Sequence, residues 1–169
     1  MVSDKQPLVI WSRLRIVAII VVVIMVMTAC ALYIITQNTR APKLGLIPSV
    51  LIHGEGFLVD ISKPTPWDDF TIVLQDQSGA AVNWTPMSSI LNNGLTSNYT
   101  DGPKTLGSLT VSCNITDLAG NGRIDRMDFF TLEPGTGQEF SSWMTYTLVM
   151  LYDPTSAELC RVSFVGIGS

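Results

Sequence analysis

Hydrophobic positions follow two regimes along the chain. From Ile16 to Ile35 they are continuous: IVAIIVVVIMVMTACALYII contains no charge, Pro or Gly. About 20 such residues at ~1.5 Å rise each cross a ~30 Å hydrocarbon core. Lipid leaves no partner for an open backbone, so Val and Ile form a helix there despite their modest propensity in water. From Ser49 apolar residues alternate with polar ones, the period of half-buried strands. This alternation predicts strands at Val50 to His53, Gly56 to Ser62, Phe70 to Gln75, Ala81 to Thr85, Ser108 to Thr116, Met127 to Glu133, Trp143 to Tyr152 and Glu158 to Val165. Turn clusters separate them: Pro64-Thr65-Pro66, Asp76-Gln77-Ser78-Gly79, Asn92-Asn93-Gly94, Asp101-Gly102-Pro103, Pro134-Gly135-Thr136-Gly137 and Asp153-Pro154. Ser88 to Leu95 has room for one helical turn. Short strands at this spacing predict a mainly β chain, with an antiparallel β-sandwich of Ig-like type. The expected division is a head at 1–15, a membrane helix at 16–35, a linker at 36–48 and a β-sandwich at 49–169.

Charge beside the helix gives an orientation. The head carries Lys5, Arg13 and Arg15 against Asp4, and positive flanks stay in the cytoplasm. The amino end is therefore expected inside and the β-sandwich outside, although Arg40 and Lys43 lessen the asymmetry. Trp11 and Tyr33 stand where interfacial aromatics are common. The apolar run exceeds the 7–15 residues of a signal peptide, which favours an uncleaved anchor. A cleaved signal and a lipoprotein signal at Met27-Thr28-Ala29-Cys30 remain alternatives. Prolines 42 and 48 stop the helix from continuing.

The chain has 14 Asp and Glu against 10 Lys and Arg; without the head, 13 acids face 7 bases. This acidic balance lacks a basic patch interleaved with aromatics and excludes nucleic acid as an expected partner. An external domain makes its cysteines candidates for oxidation. Cys113 shares a face with Leu109, Val111 and Ile115, and Cys160 shares one with Val162 and Phe164. A Cys113–Cys160 bridge would close a loop of about 46 residues, worth ~4 kcal/mol on the loop-entropy account. Two buried thiols are the alternative. Three N-x-[ST] sequons, at Asn83, Asn98 and Asn114, suit an exported glycoprotein. Pro86 makes Asn83 a poor acceptor, whereas Asn98 reads as lying in a polar loop.

The segment Asp117-Leu118-Ala119-Gly120-Asn121-Gly122-Arg123-Ile124-Asp125-Arg126-Met127-Asp128 carries the most chemistry. In calcium-loop register, Asp117, Asn121, Asp125 and Asp128 supply hard oxygens around a turning Gly122. Ala119 stands at a ligand position and Asp128 replaces the usual longer Glu. The competing reading is an Asx/Gly turn with solvated acids. No other cofactor is indicated.

Enzyme chemistry finds little support. His53 is the single histidine, and no nucleophile elbow accompanies it. The cysteines lack zinc spacing. Glu55, Asp60, Asp68 and Asp69 offer carboxylates without a defined separation. Trp67-Asp68-Asp69 has two readings, a sugar-gripping aromatic with acids or a hydrophobic anchor at a strand entry.

The stretch ITDLAGNGRIDRMDFFTL, leading through a glycine-rich turn to YTLVMLYDPTSAELCRVSFVG, resembles archaeal type IV pilin-like membrane proteins. The resemblance implies an apolar helix followed by a β-sandwich, and homotypic assembly through the helix. Prepilins of that kind are cut after a small residue preceded by a basic one. Ser12-Arg13-Leu14-Arg15-Ile16 has no such Gly or Ala, so a membrane-retained relative is expected. The expected function is a non-enzymatic, single-pass surface protein with a structural or interaction role. Its partners would be the bilayer and a second copy or another surface protein. The alternative is a ligand-sensing or carbohydrate-binding surface module.

Overall fold

The computed structural model describes residues 6–38, 40–50 and 54–166. It consists of two compact units, Met1–Arg40 and Ala41–Ser169.

The first unit is helix α1 (Gln6–Asn38). Its Ile16–Tyr33 window has a mean hydropathy of 2.9 and none of it is buried within the protein. This helix is long and apolar enough to cross a membrane. Two of its threonines bond within the helix: the Thr28 hydroxyl donates to the Ile24 carbonyl at 2.8 Å and that of Thr36 to the Tyr33 carbonyl at 2.9 Å. The helix starts ten residues before the apolar run, inside the segment expected as a head.

In the second unit the strands are β1 (Leu44–Val50), β2 (Glu55–Ile61), β3 (Thr65–Pro66), β4 (Phe70–Asp76), β5 (Ala81–Trp84), β6 (Ser97–Leu106), β7 (Leu109–Asp117), β8 (Arg123–Ile124), β9 (Phe129–Pro134), β10 (Thr145–Tyr152) and β11 (Ala157–Val165). One helical turn, α2 (Ser88–Leu91), falls where the sequence left room for it. The strands form a five-stranded sheet in order β1-β2-β9-β7-β6 and a four-stranded sheet in order β11-β10-β4-β5, with β3 and β8 as a small clip. All pairings are antiparallel. Edge β1 lies beside edge β11, and β5 beside β6, so the two sheets face each other as a sandwich.

Alternation is strict where a strand has one wet face. Phe70, Ile72 and Leu74 of β4 and Leu109, Val111, Cys113 and Ile115 of β7 are buried, with half-buried residues between them. Phe57, Val59, Phe130, Leu132, Leu148 and Met150 complete the centre of the core. Burial of each large side chain contributes about 1.5–3 kcal/mol, which holds the sheets together.

Four strands were not foreseen: the two-residue β3 and β8, and the longer β1 and β6, both of which are edges containing proline. β1 holds Pro48 and occupies what reads as linker; β6 holds Asp101-Gly102-Pro103, which reads as a turn. In β6 the ladder with β7 slips between Asp101 and Lys104, so the Gly-Pro pair sits in a bulge. An edge strand tolerates proline because the missing N–H can face away from the neighbour. The predicted strand at Val50 to His53 lies largely outside the described residues, as does His53.

Candidate functional site

The two ends of β9 open into loops of opposite character. Between β7 and β9, residues 117–128 form a closed knot. Asp117 continues the inward face of β7 and is fully buried. One of its carboxylate oxygens accepts the Gly120 N–H at 2.7 Å and the other the Gly122 N–H at 2.8 Å. Asp128, also fully buried, accepts from the N–H groups of Leu118 at 2.9 Å and Asp125 at 2.7 Å. Asn121 donates its amide to Asp125 at 2.7 Å and accepts the Arg123 N–H at 2.8 Å. Gly120 and Gly122 have positive φ, and a Cβ at Gly120 would stand 1.6 Å from the Leu95 carbonyl oxygen.

The set read as calcium ligands is therefore an Asx/Gly turn. Among the described residues no three His, Cys, Asp or Glu converge as a metal site, because the two buried carboxylates hold loop amides. Burial raises the Asp128 carboxyl to about 6; the amides of Asp125 and Leu118 oppose this, and the charges of Asp117 and Asp125 add to it.

The other readings resolve residue by residue. Cys113 and Cys160 are free thiols, and the expected bridge is not formed. Both face the core, but Cys113 is on β7 and Cys160 on β11, the edge lying beside β1. Three strand spacings separate β7 from β1, about 14 Å laterally, beyond the reach of a disulfide. Burial pushes the Cys113 thiol pKa up. Asn83 is exposed on β5, and Asn98 is exposed on β6, in a strand and not the loop expected. The Asn98 amide oxygen accepts the Thr116 hydroxyl at 2.7 Å, and Thr100 lies opposite Asn114 on the outward face.

Trp67 is fully buried, so the anchor reading of Trp67-Asp68-Asp69 holds and the sugar-gripping one fails. Among the described residues, the buried indole N–H groups of Trp67 and Trp84 have no acceptor. Of the candidate carboxylates, Asp69 lies near Asp68 and Asp153, and desolvation followed by their charges raises its pKa. Glu55 and Asp60 lie at opposite ends of β2, and Asp60 accepts the Arg126 guanidinium at 2.8 Å. Asp68 accepts the Ser88 hydroxyl at 2.7 Å. Desolvation raises Glu55, which lies on the inward face opposite Leu132.

The loop between β9 and β10 instead presents a side chain outward. Trp143 is 91% exposed, the most exposed large hydrophobic residue among those described. Its mount is rigid. Phe140 is buried and packs edge-on against Tyr146 and Phe164, with ring centroids 5.0 and 5.5 Å away. The Tyr146 hydroxyl accepts the Ser141 N–H at 3.1 Å, the Ser141 carbonyl accepts the Met144 N–H at 3.2 Å, and the Ser141 hydroxyl oxygen accepts the Trp143 N–H at 3.3 Å. Gln138 ties the loop base to the β6–β7 turn through the Thr110 N–H and the Ser108 carbonyl. Trp143 reads as the first residue of a strand, yet β10 begins at Thr145. The missed signal is the turn: the Met144 N–H to Ser141 carbonyl bond closes residues 141–144, so Trp143 sits at a turn position and not in the strand.

No protein-family model, curated protein or solved structure matches the chain.

Proposed function

We propose that this is a single-pass membrane protein, amino end in the cytoplasm, whose β-sandwich has a structural or interaction role at the cell surface, as in pilin-like proteins. The uncharged, solvent-facing run Ile16–Tyr33 carries the reading. In water such a surface is strongly unfavourable, and in a bilayer it is satisfied. The positive charges of the head favour the orientation. Exposed sequons at Asn83 and Asn98 suit a domain on the outside, where a glycan would also protect the sheet edges on which they lie. Under this reading the helix holds the domain at the membrane and the domain meets a neighbour.

The test is membrane fractionation followed by alkaline extraction, then protease added to intact cells. Retention in the membrane pellet with a protected head and digestible sandwich is the expected outcome. Release by alkali, or a sandwich protected until lysis, overturns the anchor or the orientation respectively. Filaments containing the chain, seen by electron microscopy, would favour homotypic assembly over a lone tether.

A further inference from the structure

The geometry points to a binding site for neutral carbohydrate at the loop between β9 and β10, with the Trp143 indole as its stacking platform. This rests on the reading of the sandwich as an exposed interaction domain and gives its partner a chemical class. Four observations support it.

First, the indole is held out at the cost of about 150–250 Å² of aromatic surface that the core does not use. Second, the loop is preorganised by Phe140, Tyr146, Ser141 and Gln138, so binding does not have to order it. Third, its surroundings are polar and free of positive charge. Ser141, Ser142, Thr145 and Gln77 lie around it, Gln77 accepting the Thr145 N–H at 3.4 Å. Residues 76–81, 106–109 and 134–145, three of the segments at this end of the sandwich, contain no Lys or Arg. Fourth, Asp76 is withdrawn into its own turn, where its carboxylate accepts the Ser78 N–H and hydroxyl and the Ala80 N–H, while the loop's own acid, Glu139, is exposed and disfavours an anionic ligand.

These features select among partners. Anionic lipid or nucleic acid calls for cations beside the aromatic. A stable protein interface calls for about 800 Å² per side, with apolar neighbours that exclude water around a hot-spot tryptophan. Here, among the described residues, the large apolar side chain exposed nearby is Val165, paired with Thr145. A single electron-rich ring face bordered by hydroxyls and an amide fits a sugar ring. Its C–H face carries partial positive charge for the indole, and its hydroxyls both donate and accept.

The experiment uses the full chain in nanodiscs of neutral phosphatidylcholine. Soluble mannotriose, cellotriose and chitotriose are titrated to about 10 mM, the range of weak single-site affinities. The readout is saturation-transfer NMR on the sugar protons, which does not depend on the tryptophan under test. Saturable transfer to at least one sugar is expected, with an affinity at least about tenfold weaker in Trp143→Ala and partly kept in Trp143→Phe. No saturable transfer to any of the three, or equal affinity in Trp143→Ala, overturns the site. Self-association that Trp143→Ala abolishes without saturable transfer to a sugar also overturns it and assigns the tryptophan to a protein contact. Alkaline extraction tests the anchor separately, so either reading can fail alone.

Discussion

The loops at residues 117–128 and 135–144 are joined by the six residues of β9, and both are rich in turn-forming residues. They differ in where their distinctive side chains go. Asp117 is the last inward position of β7, so its carboxylate enters the sandwich and accepts the loop's own amides. Trp143 sits in the turn before β10, with Phe140 and Tyr146 packed together beneath the loop. Acidic residues in ligand-like spacing therefore serve structure, and an aromatic read as a strand start is offered to solvent.

Breaking the closed loop gives the largest effect. Gly120→Ala places a methyl against the Leu95 carbonyl at a residue with φ of +59°. Denaturant unfolding of the detergent-solubilised chain should show a loss of about 4 kcal/mol, the scale reserved for clashes and backbone strain that cannot relax. Phe140→Ala comes next at about 3–4 kcal/mol. Unlike Gly120→Ala, it should also speed hydrogen exchange at residues 141–145, because it removes the support of the exposed loop.

The pH profile sharpens the contrast. Asp128 has its folded pKa raised from 3.8 to about 6, so the folded state holds this proton more tightly than the unfolded one. The contribution is fully present below pH ~4 and is lost as pH rises to ~6. A shift of about 2 pH units sets an upper bound of ~3 kcal/mol, which solvent screening reduces. Glu55 and Asp69 are raised by desolvation and act in the same direction. Asp76 is lowered, chiefly by the Ser78 hydroxyl, and its stabilisation disappears as pH falls below its ordinary value of 3.8. Unfolding measured from pH 3 to 7 should thus peak near pH 4, and Asp128→Asn should reduce the decline between 4 and 6. An Asp128→Asn profile identical to the parent's would show that this carboxyl does not titrate in the window.

Much of the architecture was legible because it depends on local period. The membrane-length helix follows from an unbroken apolar run, and β2, β4, β5, β7, β9, β10 and β11 from alternation bounded by turns. What escaped depends on position across the sheets. Pro48 and Pro103 look like breaks until their strands are known to be edges. Cys113 and Cys160 share an apolar face in sequence terms, yet lateral placement separates them. For the candidate site, Trp143 read as the start of a strand, whereas its prominence comes from a turn at residues 141–144 and from Phe140, which lies three residues away and packs against Tyr146 and Phe164.

Two smaller perturbations complete the comparison. Met127 is exposed with φ of +79°, a left-handed conformation unfavourable for a side chain. Met127→Gly should stabilise by about 1 kcal/mol, relieving the strain that the closed loop places on its exit. Trp143→Ala should change stability by less than ~0.5 kcal/mol, since a side chain 91% exposed loses almost no packing when truncated. Urea unfolding of the parent and Trp143→Ala chains, monitored by circular dichroism so that the lost fluorophore does not matter, gives the comparison directly. Coincident curves would mean that the tryptophan contributes nothing to folding, leaving recognition as its physical use. A loss above ~1 kcal/mol would instead make the ring part of the loop's own packing, and the contrast between the two ends of β9 would collapse.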